Sequence, residues 1–108
     1  MIIAIDYDMT YTADPDLFDA FIGFAKMRGH LVVIVTSRKE SECDHDQGIV
    51  GLVRKQVTIY CTNGKAKKHY LHTRGVHPDI WIDDRPEFIF HDQESLQLTN
   101  EVSDAAAI

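Results

Sequence analysis

Residues 1–12 read MIIAIDYDMTYT: an apolar run, Met1 to Ile5, breaks into Asp6, Tyr7, Asp8, Met9 and Thr10. The run reads as a buried strand. A strand alternates its faces, so residues two apart point the same way. Asp6 and Asp8 then aim into one small volume wherever the strand geometry persists. Two unit charges about 4 Å apart repel by about 4 kcal/mol at an effective dielectric of about 20. A proton, a lysine or a metal ion has to offset that cost. A strand running out into a solvated acidic loop is the plainer alternative, and the rest of the chain decides between the two.

Asp14-Pro15-Asp16 is a helix start, a capping aspartate followed by proline in the first turn. Leu17, Phe18, Phe21, Ile22, Phe24 and Ala25 recur at helical spacing, and Gly29 supplies a C-cap. Leu31–Val35 is a second β-branched strand, followed by Thr36-Ser37-Arg38. Residues 39–48 are polar and read as beginning in loop, while Ile49, Leu52 and Val53 suggest a second helix. Val57–Cys61 is a third strand, Thr62-Asn63-Gly64 a turn, and Lys65–Arg74 a short helix ended by Gly75. Asp79–Ile82 is a fourth strand leading into Asp83-Asp84-Arg85-Pro86, and Phe88–Phe90 reads as a short fifth. Residues 1–98 are expected to form one domain, with residues 99–108 a flexible C-terminal tail.

Strands alternating with helices predict an α/β fold: one Rossmannoid domain, three layers α/β/α, with a mostly parallel sheet. Continuous apolar strands fit burial on both faces. In such sheets ligands bind beyond the carboxyl ends of the strands. Those ends carry Asp6 and Asp8, Thr36 and Ser37, the lysines of 65–68, and Asp83 with Asp84. Acid pair, hydroxyl, ammonium and acid pair converge on one edge. That convergence favours an active site over solvated loops.

A chain of 108 residues suits a single core. The net charge of -6 argues against broad binding of nucleic acid or anionic membrane, while leaving a local basic patch open. No apolar run approaches the roughly 18 residues of a membrane span, and no secretory signal is visible. A cytoplasmic protein with no membrane partner is the expectation. Cys43 and Cys61, the only cysteines, suggest neither a zinc pair nor a disulfide framework, so two reduced thiols are expected.

A carboxylate can attack phosphorus and form an aspartyl-phosphate. Mg²⁺ prefers oxygen ligands and commonly takes one or two carboxylates together with phosphate and water. Asp6 with Asp83 or Asp84 supplies such ligands. Asp6, Asp8, Asp83 and Asp84 together concentrate negative charge where a phosphate has to enter. A hydroxyl and a lysine suit the other phosphoryl oxygens. Asp8 is placed to protonate a leaving oxygen and later deprotonate water.

This constellation resembles the haloacid dehalogenase-like (HAD) phosphohydrolase superfamily across nearly the whole chain. The resemblance rests on Asp6-Tyr7-Asp8-Met9-Thr10 after the first strand, VVIVTS at the second, the lysines of NGKAKKHYL, and the acidic pair of IWIDDRP. It implies Asp6 as nucleophile, Asp8 as general acid/base, Thr36 and one lysine as phosphate ligands, and Asp83 or Asp84 on Mg²⁺. Lys65, Lys67 and Lys68 all lie in the lysine window. Lys65 sits nearest the strand end and ranks first, with Lys67 and Lys68 expected towards solvent. The D-D-R-P ending is similar to small nucleotidase-like and polynucleotide-phosphatase-like members. Met9 stands where the family usually has glycine, a residue that eases a turn. Only 25 residues separate Thr10 from Thr36, and a helix takes most of them. The resemblance therefore implies a member without a cap domain. Its open site would take a large phosphorylated substrate, such as a nucleic-acid end, or close a small molecule against a second subunit of a homo-oligomer.

Other readings compete. His69 with His72, and His45 near Cys43, offer no complete zinc set. A phosphoacceptor receiver domain uses similar groups, but its adjacent acids follow the first strand, whereas here they come last. A catalytically inactive HAD-like binding module remains the alternative to an enzyme.

Overall fold

The four expected strands form a single sheet in a computed structural model that describes residues 1–93. The expected 99–108 tail and the end of the expected domain lie outside the described residues. The strands are β1 (Ile2–Asp6), β2 (Leu31–Thr36), β3 (Thr58–Cys61) and β4 (Ile80–Ile82). Every pairing is parallel, in the order β3-β2-β1-β4. The helices are α1 (Pro15–Met27), α2 (Glu40–Cys43), α3 (Gln47–Arg54), α4 (Lys67–His72) and α5 (Glu87–Phe90), with a 3₁₀ turn at Tyr11–Ala13.

The alternation of side chains explains the layers. Ile3, Ile5, Val32 and Ile34 meet Ile22 and Ala25 of α1 and Ile49 and Leu52 of α3. Ala4, Val33 and Val35 face the other way, onto Leu71 of α4. Both sheet faces are thus covered, and the central strands are apolar up to their last residues, Asp6 and Thr36. The chain steps from β1 to β2 to β3, then jumps back across the sheet to β4. With right-handed crossovers, that reversal puts α4 on the face opposite α1 and α3. The reversal also defines a crevice at the carboxyl ends of β1 and β4, the usual ligand position in such sheets. Ile5 pairs with Ile82, so Asp6 and Asp83, one residue further on, leave the sheet side by side.

Helix α1 starts and ends where its sequence dictates. The Asp14 carboxylate accepts from the Leu17 N–H at 3.2 Å, and Pro15 occupies the first turn. Gly29 takes φ +83° and closes the helix, its N–H donating to the Lys26 carbonyl. The apolar residues divide between two faces. Phe18, Ile22 and Ala25 pack inward, whereas Leu17, Phe21, Phe24 and Met27 are exposed.

Two expectations are corrected. Phe88–Phe90 is part of α5, not a fifth strand. Pro86 presets a helical φ at the helix start, and Ile89 is buried. The polar 39–48 segment leaves the loop after Lys39 and forms the single turn α2. Helix α4 begins at Lys67, not Lys65. The 62–65 segment folds into a turn with Asn63 and Gly64 at positive φ, and the Ala66 N–H is tied to Asp92 at 2.7 Å.

Candidate active site

Asp6 ends β1 and is buried. Lys67, the first residue of α4, shares a helix face with Leu71, and both are buried. Its Nζ donates to Asp6 Oδ1 at 2.7 Å and to Asp83 Oδ2 at 2.6 Å. Asp83 Oδ1 accepts from the Arg85 N–H at 2.9 Å, which fixes its rotamer. Thr10 Oγ1 lies 3.1 Å from both Asp6 Oδ2 and Asp84 Oδ1, and accepts from the Asp84 N–H at 3.2 Å. One hydroxyl proton cannot serve two carboxylates at once.

The carboxylates of Asp6, Asp83 and Asp84 each place an oxygen within 4.8 Å of the others. Among the described residues Lys67 pairs with two of these three carboxylates, Asp6 and Asp83. Burial is the main cause that pushes Asp6 up to about 6; Lys67 opposes the rise, and Asp83 and Asp84 add to it. The donors are hard oxygens and the charge excess is negative. These features fit a hard dication such as Mg²⁺.

Asp8 is held differently. Arg38 Nε donates to Asp8 Oδ2 at 2.9 Å and Nη2 to Asp8 Oδ1 at 2.7 Å. The remaining arm, Nη1, donates to Asp46 Oδ2 at 2.9 Å. Asp46 in turn accepts from the Tyr7 hydroxyl and caps α3 at the Ile49 N–H. Its carboxyl is held below the ordinary range, chiefly by the Tyr7 hydrogen bond. Gly48 makes room for this contact, because a Cβ there would lie 2.1 Å from the Tyr7 hydroxyl oxygen. Asp6, Asp8, Ser37 and Lys67 line a cleft of about 210 Å³, with Met9, Arg85 and Phe88 also on its walls.

The structure thus brings Asp6, Asp83 and Asp84 together and revises three further placements. The Asp8 carboxylate stands outside the acidic cluster, because both its oxygens are taken by Arg38. Lys65 is exposed, whereas Lys67 enters the cleft; α4 starts two residues later than expected, which turns Lys67 inward. Thr36 is fully buried and its Oγ accepts from the Arg38 N–H at 3.3 Å, so the hydroxyl residue lining the cleft is Ser37. Arg38 and Asp46 had no assigned role in the sequence. A guanidinium two residues past a strand end, and a helix cap ahead of Ile49, were the available signals. Met9 has φ 63° and is exposed, the left-handed conformation that glycine takes readily.

Among the described residues no helix is long and apolar enough to cross a membrane. Comparison with protein-family models, with curated proteins and with solved structures finds no match to this chain in any of the three.

Proposed function

We propose that the chain is a phosphomonoester hydrolase of HAD-like type, working through an aspartyl-phosphate on Asp6. The observation that carries this reading is Lys67 Nζ bridging Asp6 and Asp83 on the floor of a cleft where a third carboxylate, Asp84, also converges. Asp6 is the nucleophile, at the carboxyl end of a central parallel strand. Lys67 and Ser37 hold phosphoryl oxygens, and Lys67 also keeps Asp6 from being blocked by its acidic neighbours. Asp6, Asp83 and Asp84 are the residues that hold Mg²⁺. The ion, when bound, supplies charge neutralisation for the phosphoryl group and the nucleophile.

Asp8 is the general acid/base. Its attachment to Arg38 keeps it at the wall of the cleft, where it delivers a proton to the leaving oxygen and later takes one from water. Helices that pack on the sheet occupy the segments between β1 and β2 and between β2 and β3, which supports reading the cleft as uncapped. An uncapped cleft suits a large phosphorylated substrate, a nucleotide or nucleic-acid end first, or a small molecule enclosed by a second subunit.

The test is a phosphatase screen over nucleotides, sugar phosphates and phosphorylated oligonucleotides, run with and without Mg²⁺. Asp6→Asn is the control and is expected to fold and to show no turnover. Turnover by Asp6→Asn equal to the parent chain would sink the mechanism. A parent chain that binds phosphate analogues but turns over nothing would make it a binding module.

A further inference from the structure

We propose that Cys43 and Cys61 form a reversible oxidation site, a dithiol that closes to a disulfide and staples α2 to the end of β3. The two residues are 18 positions apart in sequence, yet their sulfurs lie 2.7 Å from each other. That is inside ordinary non-bonded sulfur contact. Small side-chain rotations bring such a pair to the roughly 2.05 Å of a covalent bond. They are the only cysteines in the chain, so the pairing within one molecule has a single solution.

The two thiols are not equivalent. Cys43 is buried at the end of α2, whereas Cys61 is half-buried in the edge strand β3. Burial, and then the neighbouring Cys61 thiol, hold Cys43 protonated well above the usual thiol range. Both line a groove of about 480 Å³ shared with Ile49, Val53 and Ile59, which admits a small oxidant. Cys61 is the sulfur such an oxidant meets first. No metal-ligating cluster among the described residues includes either thiol, which leaves the pair without the ligands a zinc site needs.

The chemistry needs a hydroperoxide. The Cys61 thiol attacks the peroxide oxygen, giving a sulfenic acid and one water (or alcohol). The Cys43 sulfur then attacks the Cys61 sulfur and displaces hydroxide. The Cys43 thiol proton goes to that hydroxide, giving a water. Two thiols are oxidised by two electrons and the peroxide is reduced. A protonated, buried thiol is a weak nucleophile, and contact between the sulfurs offsets that weakness by making the attack intramolecular. A thiol reductant reverses the bond by exchange.

The staple falls in a segment that matters locally. Cys43 precedes Asp46 by three residues, and Cys61 is the register partner of Thr36. The bond therefore ties the 37–46 connection, which carries Arg38 and Asp46, onto the sheet edge.

The test uses the full chain, reduced, freed of reductant and treated with hydrogen peroxide. Intact mass is expected to fall by two hydrogens, with a Cys43–Cys61 cross-linked peptide, a monomer on a non-reducing gel, and reversal by dithiothreitol. Amide exchange across residues 40–46 is expected to slow several-fold. Cys43→Ser is expected to trap a dimedone adduct on Cys61, and Cys61→Ser to trap none on Cys43. Two thiols still open to alkylation, stable over-oxidised products, disulfide-linked dimers alone, or unchanged exchange in the oxidised monomer would each overturn the proposal. None of these readouts involves turnover, so the result does not depend on the phosphatase reading.

Discussion

Arg38 grips Asp8 through both carboxylate oxygens while its third arm rests on Asp46. A bidentate guanidinium–carboxylate pair fixes orientation as well as charge. In the proposed mechanism Asp8 works only if it points at the leaving oxygen, so Arg38 is a positioning residue. Arg38→Ala is expected to lower kcat on the order of 100-fold. KM should move little, because Arg38 does not hold the phosphoryl group. Arg38→Lys should recover little, since the planar fork is lost, whereas added guanidinium should restore part of the Arg38→Ala rate. The side chains of Asp8 and Arg38 are 48% and 28% exposed, so the stability cost should stay within about 1 kcal/mol. Wild-type turnover by Arg38→Ala would remove this residue from the mechanism.

Lys67 bridges the carboxylates of Asp6 and Asp83, and its side chain is 3% exposed. Removing one partner of a buried ion pair typically costs about 3–5 kcal/mol, because the charges left behind lose their compensation. Lys67→Ala is expected to destabilise the metal-free chain by an amount of that order, and Mg²⁺ should restore part of it. Lys65→Ala, on an exposed side chain, should stay within about 0.5 kcal/mol. Urea midpoints of the two variants decide it, and equal midpoints would count against Lys67 as the buried cation.

The division between what was legible in the sequence and what was not follows from the range of each interaction. β1, β2, β3 and β4 announce themselves as apolar runs, and α1 by its Asp14 cap and helical spacing, all of which are local signals. Parallel pairing, and the gathering of Asp6 and Asp83 at one sheet edge, follow from strand–helix alternation; that β4 lies beside β1, which makes the two neighbours, does not. The lysine was not legible, because two residues of helix start decide whether Lys65 or Lys67 turns inward. That start is set by turn hydrogen bonds to Asp92 and to the Ser37–Arg38 backbone, far away in sequence. Phe88-Ile89-Phe90 was too short for a period to separate strand from helix. The Cys43–Cys61 contact and the Arg38–Asp46 pair depend on how the 37–46 connection folds back, for which no spacing rule exists.

The raised Asp6 gives a pH dependence of unusual sign for a carboxylate. From its ordinary 3.8 up to about 6, the folded metal-free chain keeps a proton that the unfolded chain has lost. Stability from this group is therefore full below pH 3.8 and falls as pH rises through about 6. The total loss is on the order of 3 kcal/mol. Mg²⁺ competes with that proton for the ionised oxygens. The rise in Tm on adding Mg²⁺ should be small near pH ~5 and grow above pH ~7. Thermal scans across that range test it, and a Tm shift independent of pH would contradict Asp6 as a ligand.

Met9 holds φ 63° with its side chain 71% exposed. A left-handed conformation costs a residue with a Cβ about 1–2 kcal/mol, and little burial is lost by trimming this side chain. Met9→Gly is expected to stabilise the chain by about 0.5–1 kcal/mol, the balance after glycine's larger entropy loss. A lower urea midpoint for Met9→Gly would show that the Met9 side chain makes a packing contribution larger than its strain.

Gly48 carries the most specific packing prediction. A Cβ at this position would sit 2.1 Å from the Tyr7 hydroxyl oxygen and 3.2 Å from the ring carbon that bears it. Tyr7 is 3% exposed and stacks on Tyr11 with centroids 5.7 Å apart, so its ring has little room to retreat. Burial and the Asp46 hydrogen bond both push its phenol far up, so it stays a hydrogen-bond donor at any physiological pH. Gly48→Ala must therefore displace the hydroxyl from Asp46 or distort the start of α3. The expected cost is about 1–3 kcal/mol, the usual range for overpacking. Because Asp46 also receives Arg38, the displacement should reach Asp8 and lower turnover alongside stability. Tyr7→Phe removes the clashing oxygen but leaves the ring carbon close. Gly48→Ala should then cost clearly less in the Tyr7→Phe background than in the parent chain, a coupling of roughly 1 kcal/mol between contacting residues. Strict additivity of the two substitutions in a double-mutant cycle would mean that Gly48 serves the helix alone, and that Tyr7, Asp46, Arg38 and Asp8 do not act as one connected support.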